Sequence, residues 1–143
     1  MYRIREVDGS DDEIADHLST LHTLTFFDPS IFANPEIGHW WMAWEDQEPV
    51  AFAGMVESTH CRNAYYFHRV GVLRAHRGHG LQRRLMRALE AKAYRLGAQK
   101  IVSDTTENVP SANNFIAAGY WMFEPQWPWA FPSSVYWVKH LSA

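Results

Sequence analysis

The sequence predicts an α/β domain in which helices pack on a mixed sheet. Three observations carry that expectation. Segments of strand character and stripes of helical spacing follow the order strand, helix, strand, strand, strand, helix, strand, helix, strand, strand. That is β-α-β-β-β-α-β-α-β-β, a sheet of about six or seven strands flanked by helices. The length, 143 residues, suits one domain over 1–143 with a core able to stand alone. Apolar residues make up 47% of the chain, too large a share for a disordered one.

Each element has its own signal. YRIREV (2–7) alternates and reads as a strand. DGSDDEI announces a helix, with Ser10 as cap and Glu13 three residues on, as in a capping box. Ile14, Leu18 and Leu21 form its apolar stripe, and it runs to about residue 24. Residues 25–39 contain Pro29 and Pro35 and fit a short helix or a lid-like loop equally well. WWMAWE (40–45) and PVAFAGMVE (49–57) read as a hairpin around a DQE turn. AYYFHRVGV (64–72) is the next strand. A helix follows from about Gly80 to Leu96, closed by Gly97, with Leu81, Leu85, Leu89 and Leu96 on one side. QKIVSDT (99–105) is a strand, and PSANNFIAA a short helix with Pro110 in its first turn and Gly119 at its end. YWMFE and SVYWVKH close the chain as strands around a Pro/Trp-rich loop, 125–133. The crossover 64–105 makes its two strands parallel neighbours.

Composition excludes several functions. The formal net charge of -3 argues against a nucleic-acid binder. Cys61 is the single cysteine, so an internal disulfide and a cysteine-rich zinc site are both ruled out. His17 and His22 stand five apart on a helix, a poor spacing for one metal, and His60 falls in a polar connection that reads as solvated. No metal is expected. The absence of an apolar run of about 18 residues, and of an apolar core in the first residues, leads to the expectation of a cytoplasmic protein without a membrane partner.

The richest stretch is RAHRGHGLQRRLM, residues 74–86. Gly78 and Gly80 stand between a strand and a helix, where glycine lets a ligand approach the backbone. The first turn of a helix offers unpaired N–H groups and a positive dipole end. Arg74, Arg77, Arg83, Arg84 and Arg87, with His76 and His79, surround that turn. The pattern reads as a phosphate cradle; the plainer alternative is a tight strand-to-helix turn with a solvated basic helix face. It is not a P-loop, and Arg83 stands where a dinucleotide fingerprint needs its third glycine.

VGVLRAHRGHGLQRRLM resembles the acetyl-CoA-binding segment of the GNAT superfamily of N-acetyltransferases, a strand ending in Val followed by Q/R-x-x-G-x-G/A and an amphipathic helix. Arg77 takes the Q/R place and Gly80 the first glycine place, while Gln82 departs from the usual Gly or Ala. NVPSANNFIAAGY (108–120) resembles the family's later N-x-x-A-x-x-x-Y-x-x-x-G-F/Y segment, through Asn108, Ser111 and Gly119–Tyr120. Asn113 adds a polar group, and Phe115 stands where many members have tyrosine.

The resemblance implies a GNAT-like fold and direct transfer of an acetyl group from acetyl-CoA to a primary amine of a small molecule or peptide. The strand through Val70 and Val72 would pair with the pantetheine arm, in a gap between two strands that splay apart. The backbone from Arg77 through Gly78, His79, Gly80 and Leu81 to Gln82 would hold the diphosphate. Asn108, Ser111, Asn113 and Phe115 would complete the cofactor contacts. The N–H near Val72 would donate to the thioester oxygen.

The base is left open. Its usual place falls near Tyr66, which is not a carboxylate. His68 shares that side by the period of two, and histidine's ordinary pKa suits a base; Glu57 is the rival, and water is the third possibility. Phe115 cannot protonate the leaving thiolate, so Tyr120, Tyr94 or no group at all does so. Seven tryptophans, several in the first hairpin and in PQWPWAFP (125–132), cannot all be core. They line an apolar or aromatic acceptor site, or fold over as a lid that completes a small core, or form a homodimer contact, with Asp28, Glu36 and Glu124 available to attract an amine. The rivals to an enzyme are an inactive CoA-binding module acting through protein contacts and, second, a nucleic-acid binder using the arginine helix, which the overall charge and the lack of interleaved aromatics oppose.

Overall fold

The computed structural model describes residues 1–26 and 34–141. The open reading of 25–39 falls in part, over 27–33, on residues outside the description, as does Asp28. Among the described residues there are seven strands: β1 (Tyr2–Val7), β2 (His39–Glu45), β3 (Glu48–Glu57), β4 (Ala64–Val72), β5 (Lys100–Thr106), β6 (Trp121–Phe123) and β7 (Ser134–His140). The helices are α1 (Asp12–Phe26), α2 (Leu81–Arg95) and α3 (Val109–Ala117). The strands hydrogen-bond in the order β1-β2-β3-β4-β5-β7-β6, so the expected mixed α/β sheet and its element order are both present. A 3-10 turn over Arg74–His76, between β4 and α2, was not foreseen.

The chain forms two compact units. The first comprises Met1–Val56 and His68–Leu89. In it β1, β2 and β3 form an antiparallel meander with an irregularity between Ala43 and Trp44. The helical stripe of α1 falls as expected: Leu18 and Leu21 are buried against Trp40, Met42 and Phe52, with Ile14 packed beside them. Trp41 is buried as well as Trp40. Successive residues of a strand face opposite ways, so β2 is covered on both faces and takes two neighbouring tryptophans into the core. Trp44 is only partly buried, under the guanidinium of Arg3.

The helix cap differs from the expected one. Ser10 donates both its backbone N–H and its hydroxyl to Asp8 Oδ1, so its oxygen is not the cap. Asp11 caps instead, accepting the Glu13 N–H at 3.0 Å while its carbonyl takes the first helical bond from Ala15.

The second unit comprises Glu57–Phe67 and Glu90–Ala143. The start of β4 pairs with β5 in parallel, as the crossover requires, over Ala64↔Lys100 to Tyr66↔Val102. The Phe67 carbonyl then accepts from the side chain of Ser103 rather than from a backbone donor. β5 pairs with β7, and β7 with β6, both antiparallel. Phe115 of α3 is stacked on Trp137 and set edge-on to Phe67 and Tyr120. Gly119 takes the left-handed φ of 89° that ends α3. The apolar stripe of α2 stops at Ala93; Leu96 lies past the last helical residue and is exposed.

Candidate active site

The glycine–arginine loop is built by the first unit. β4 can lie close to α1 because of Gly71: a Cβ there would stand 2.5 Å from Thr25 Oγ1 and 2.7 Å from Phe52. Val70 and Val72, one residue either side, are half-buried. By strand alternation they face away from that contact. Leu73 N–H donates to the Val50 carbonyl at 2.9 Å and ends the strand. The chain then makes its 3-10 turn and reaches Arg77 in extended conformation. The Arg77 side chain folds back, its Nε donating to the Val72 carbonyl at 3.3 Å.

Gly78 and Gly80 have φ of 84° and 76°, a region that side chains rarely adopt. A Cβ at either would meet no protein atom within 4 Å. The glycines are thus required by conformation, and the space beside them is open to a ligand. Gly80 caps α2, its carbonyl accepting from Arg84 N–H at 3.1 Å. A serine or aspartate cap would satisfy one of the first N–H groups from its own side chain; glycine leaves those of Leu81, Gln82 and Arg83 to a ligand. The first turn contains no acid and two arginines, the reverse of what the helix dipole favours. An anion placed there would relieve that conflict, by up to about 2 kcal/mol in a favourable partly buried geometry. Leu81 anchors the turn in the core, Gln82 is half-buried, and Arg83, Arg84 and Arg87 are exposed.

β1 braces the same loop. Tyr2 Oη lies 3.0 Å from His76 Nδ1, and its ring lies 5.5 Å from that of His79. Glu45 approaches His76 at 4.0 Å. Desolvation, then the Glu45 charge, raises the pKa of the Tyr2 hydroxyl. The donor set and open glycines fit a diphosphate.

His68 is half-buried in the first unit, edge-on to Trp40 at 6.1 Å. Glu57 and Tyr66 belong to the second unit. Glu57 is exposed at the end of β3, and its charge adds to desolvation in raising the Tyr65 pKa. Tyr66 donates its hydroxyl to Asp104 Oδ2 at 2.8 Å, and Trp129 Nε1 donates to the same oxygen at 2.9 Å. Asp104 escaped notice in the sequence, although an acid within the strand QKIVSDT was a visible irregularity.

Also in the second unit, Asn108 caps α3, its Oδ1 accepting from Ser111 N–H at 3.1 Å. Asn113 is exposed and Phe115 buried. Tyr120 is buried and donates to Glu90, while Tyr94 is exposed. Of the loop aromatics, Trp129 packs edge-on to Tyr136 at 4.6 Å, whereas Trp127 and Phe131 are exposed. His60, expected to be merely solvated, stacks flat on Trp129 at 4.8 Å. Among the described residues no group of three His, Cys, Asp or Glu is arranged to hold a metal. No helix among them is long and apolar enough to cross a membrane.

A glycine-capped helix N-terminus with open space beside it, at a strand-to-helix junction, has the form of a site for a phosphate-bearing ligand. The chain belongs to the acetyltransferase (GNAT) family, whose match covers residues 2–120. Solved structures agree over nearly the whole length. A Klebsiella pneumoniae protein assigned as an acyl-CoA N-acyltransferase is 26% identical, with 99% of each chain covered and a TM-score of 0.74. A Bacillus subtilis acetyltransferase solved in complex with CoA is 16% identical, with 99% of this chain and 100% of that one covered and a TM-score of 0.75. The ribosomal-protein-S18-alanine N-acetyltransferase of Escherichia coli is 11% identical, with coverage of 100% and 96% and a TM-score of 0.76. No curated protein matches the sequence.

Proposed function

We propose that this chain transfers an acetyl group from acetyl-CoA to a primary amine by direct attack. The observation that carries the reading is the Gly80 cap, which leaves the first N–H groups of α2 unpaired beside open space. The backbone from Arg77 to Gln82 would hold the diphosphate, and the exposed arginines of α2 would add attraction for phosphate. The backbone of Val70 and Val72 would align the pantetheine arm. Acetyl-CoA supplies the thioester, and the N–H at Val72 would be the donor facing its oxygen as negative charge develops.

The amine must lose a proton before attack. His68 is the base in this reading, because an imidazole is a residue type suited to general-base work and this one is only half-buried on β4. Glu57 is the alternative. Phe115 has no proton to give, so the thiolate leaves without a tyrosine at that position. The family match crosses both units, which supports treating the chain as one acyltransferase domain.

Titration calorimetry with acetyl-CoA, CoA and ATP tests the reading. Saturable binding of acetyl-CoA, stronger than that of ATP, is expected; no binding would overturn it. Phe115 and Gln82 also suit a CoA-binding module without activity. Turnover on any amine removes that second reading.

A further inference from the structure

Asp104 is the feature of the second unit that the fold does not explain. It is half-buried within β5, opposite Tyr136 of β7, which in turn faces Phe123 of β6. Tyr66 and Trp129 complete an aromatic surround. A carboxylate set among aromatic rings is well placed to meet a cation. Among the described residues none pairs with it. Both donors it receives are neutral, and both fall on Oδ2. A structural acceptor for a phenol and an indole needs no charge; an amide oxygen would serve.

We propose that Asp104 receives a positively charged group of the acceptor, with Tyr66, Trp129 and Tyr136 as its walls. The proposal rests on the acyltransferase reading and names the acceptor class: an amine that enters as its ammonium form, flanked by a flat or apolar body, and gives its extra proton to the base before it attacks. The two neutral donors hold the carboxylate in place and leave Oδ1 to form a charge-assisted hydrogen bond. Aromatic rings around a carboxylate favour a cation further, through the negative faces of their π systems. The stacking of His60 on Trp129 fixes one wall. Asp104 is then a specificity residue.

The probes are benzylamine and its neutral isostere benzyl alcohol, titrated at pH 7 into the full-length protein with CoA present. The readouts are calorimetry and the NMR shift of the Trp129 indole N–H, assigned with a Trp129→Phe variant. That proton points at Asp104 and reports directly on its occupancy. Benzylamine is expected to bind about tenfold more tightly than benzyl alcohol and to move the indole signal. Asp104→Asn keeps an acceptor for both donors and is expected to erase that preference while leaving CoA affinity unchanged. Equal affinity for the two probes, an unmoved indole signal, or an unaltered preference in Asp104→Asn would each overturn the proposal. The wild-type comparison decides the matter even if the variant does not fold. Failure of CoA to bind wild-type protein would instead count against the acyltransferase reading, a separate result in the same series.

Discussion

Tyr120 donates its hydroxyl to Glu90 Oε2 at 3.1 Å, inside a network closed by Lys139. The Lys139 ammonium reaches Glu90 Oε1 at 2.9 Å and the Ala118 carbonyl at 2.8 Å. One lysine thus neutralises a half-buried carboxylate and closes the C-terminal end of α3 (Val109–Ala117), where the helix dipole favours a cation. Burial, followed by the Glu90 charge and its hydrogen bond, holds the Tyr120 pKa well above the ordinary tyrosine value. A raised folded-state pKa favours the neutral phenol. Its contribution to stability is complete below the ordinary tyrosine pKa and is lost as pH rises through the folded value.

Tyr120→Phe should therefore cost about 1–2 kcal/mol at pH 7, by leaving Glu90 Oε2 without its donor. Urea denaturation across neutral to strongly alkaline pH provides the check. The wild-type midpoint should fall steeply on the alkaline side and the variant's should fall less. Parallel curves would show that Tyr120 is not the group responsible.

At Gly80 the expected loss is in binding, not folding. A Cβ meets nothing within 4 Å, so Gly80→Leu has room in the protein; its positive φ costs about 1–2 kcal/mol of backbone strain. The leucine would occupy the space proposed for the diphosphate. Calorimetry should show acetyl-CoA affinity reduced by at least about tenfold, with a cooperative thermal transition retained. Unchanged affinity would remove the cradle from this loop.

His68→Ala separates binding from chemistry. Acetyl-CoA affinity should be retained and kcat at pH 7 reduced by about 100-fold, the lower end of general-base effects. Glu57→Gln in the same assay should leave kcat nearly unchanged. The opposite pattern would transfer the proton to Glu57, and two active variants would assign it to water.

The cap of α1 (Asp12–Phe26) offers a test of local structure. Asp11→Ala should destabilise the protein by about 0.5–2 kcal/mol, since Asp11 accepts the Glu13 N–H. Ser10→Ala should do less, because that hydroxyl serves only Asp8. Denaturant midpoints for the two variants distinguish them, and an equal loss would reject Asp11 as the cap.

Much of this molecule was legible in the chain itself, wherever the signal was local. Periodicity together with turn, cap, proline and glycine signals marks all seven strands and three helices among the described residues, because each of these acts over a few neighbouring residues. The glycine–arginine loop was equally local: two positive-φ glycines and the first turn of α2 (Leu81–Arg95) lie within a handful of residues. The cap of α1 is not legible in the chain, because Asp8, Ser10 and Asp11 all offer suitable oxygens and only geometry shows which one Glu13 uses.

What tertiary structure alone decided was pairing between distant residues. Asp104 meets Tyr66 across 38 positions and Trp129 across 25; Tyr120 meets Glu90 across 30. Side-chain hydrogen bonds of that span leave no periodic trace, since they depend on strand register and on where a loop folds back. Register put Tyr136 opposite Asp104, and the fold of the 125–133 loop brought the Trp129 indole to the same carboxylate. A run of residue types determined which elements form; the register between them determined which polar groups meet.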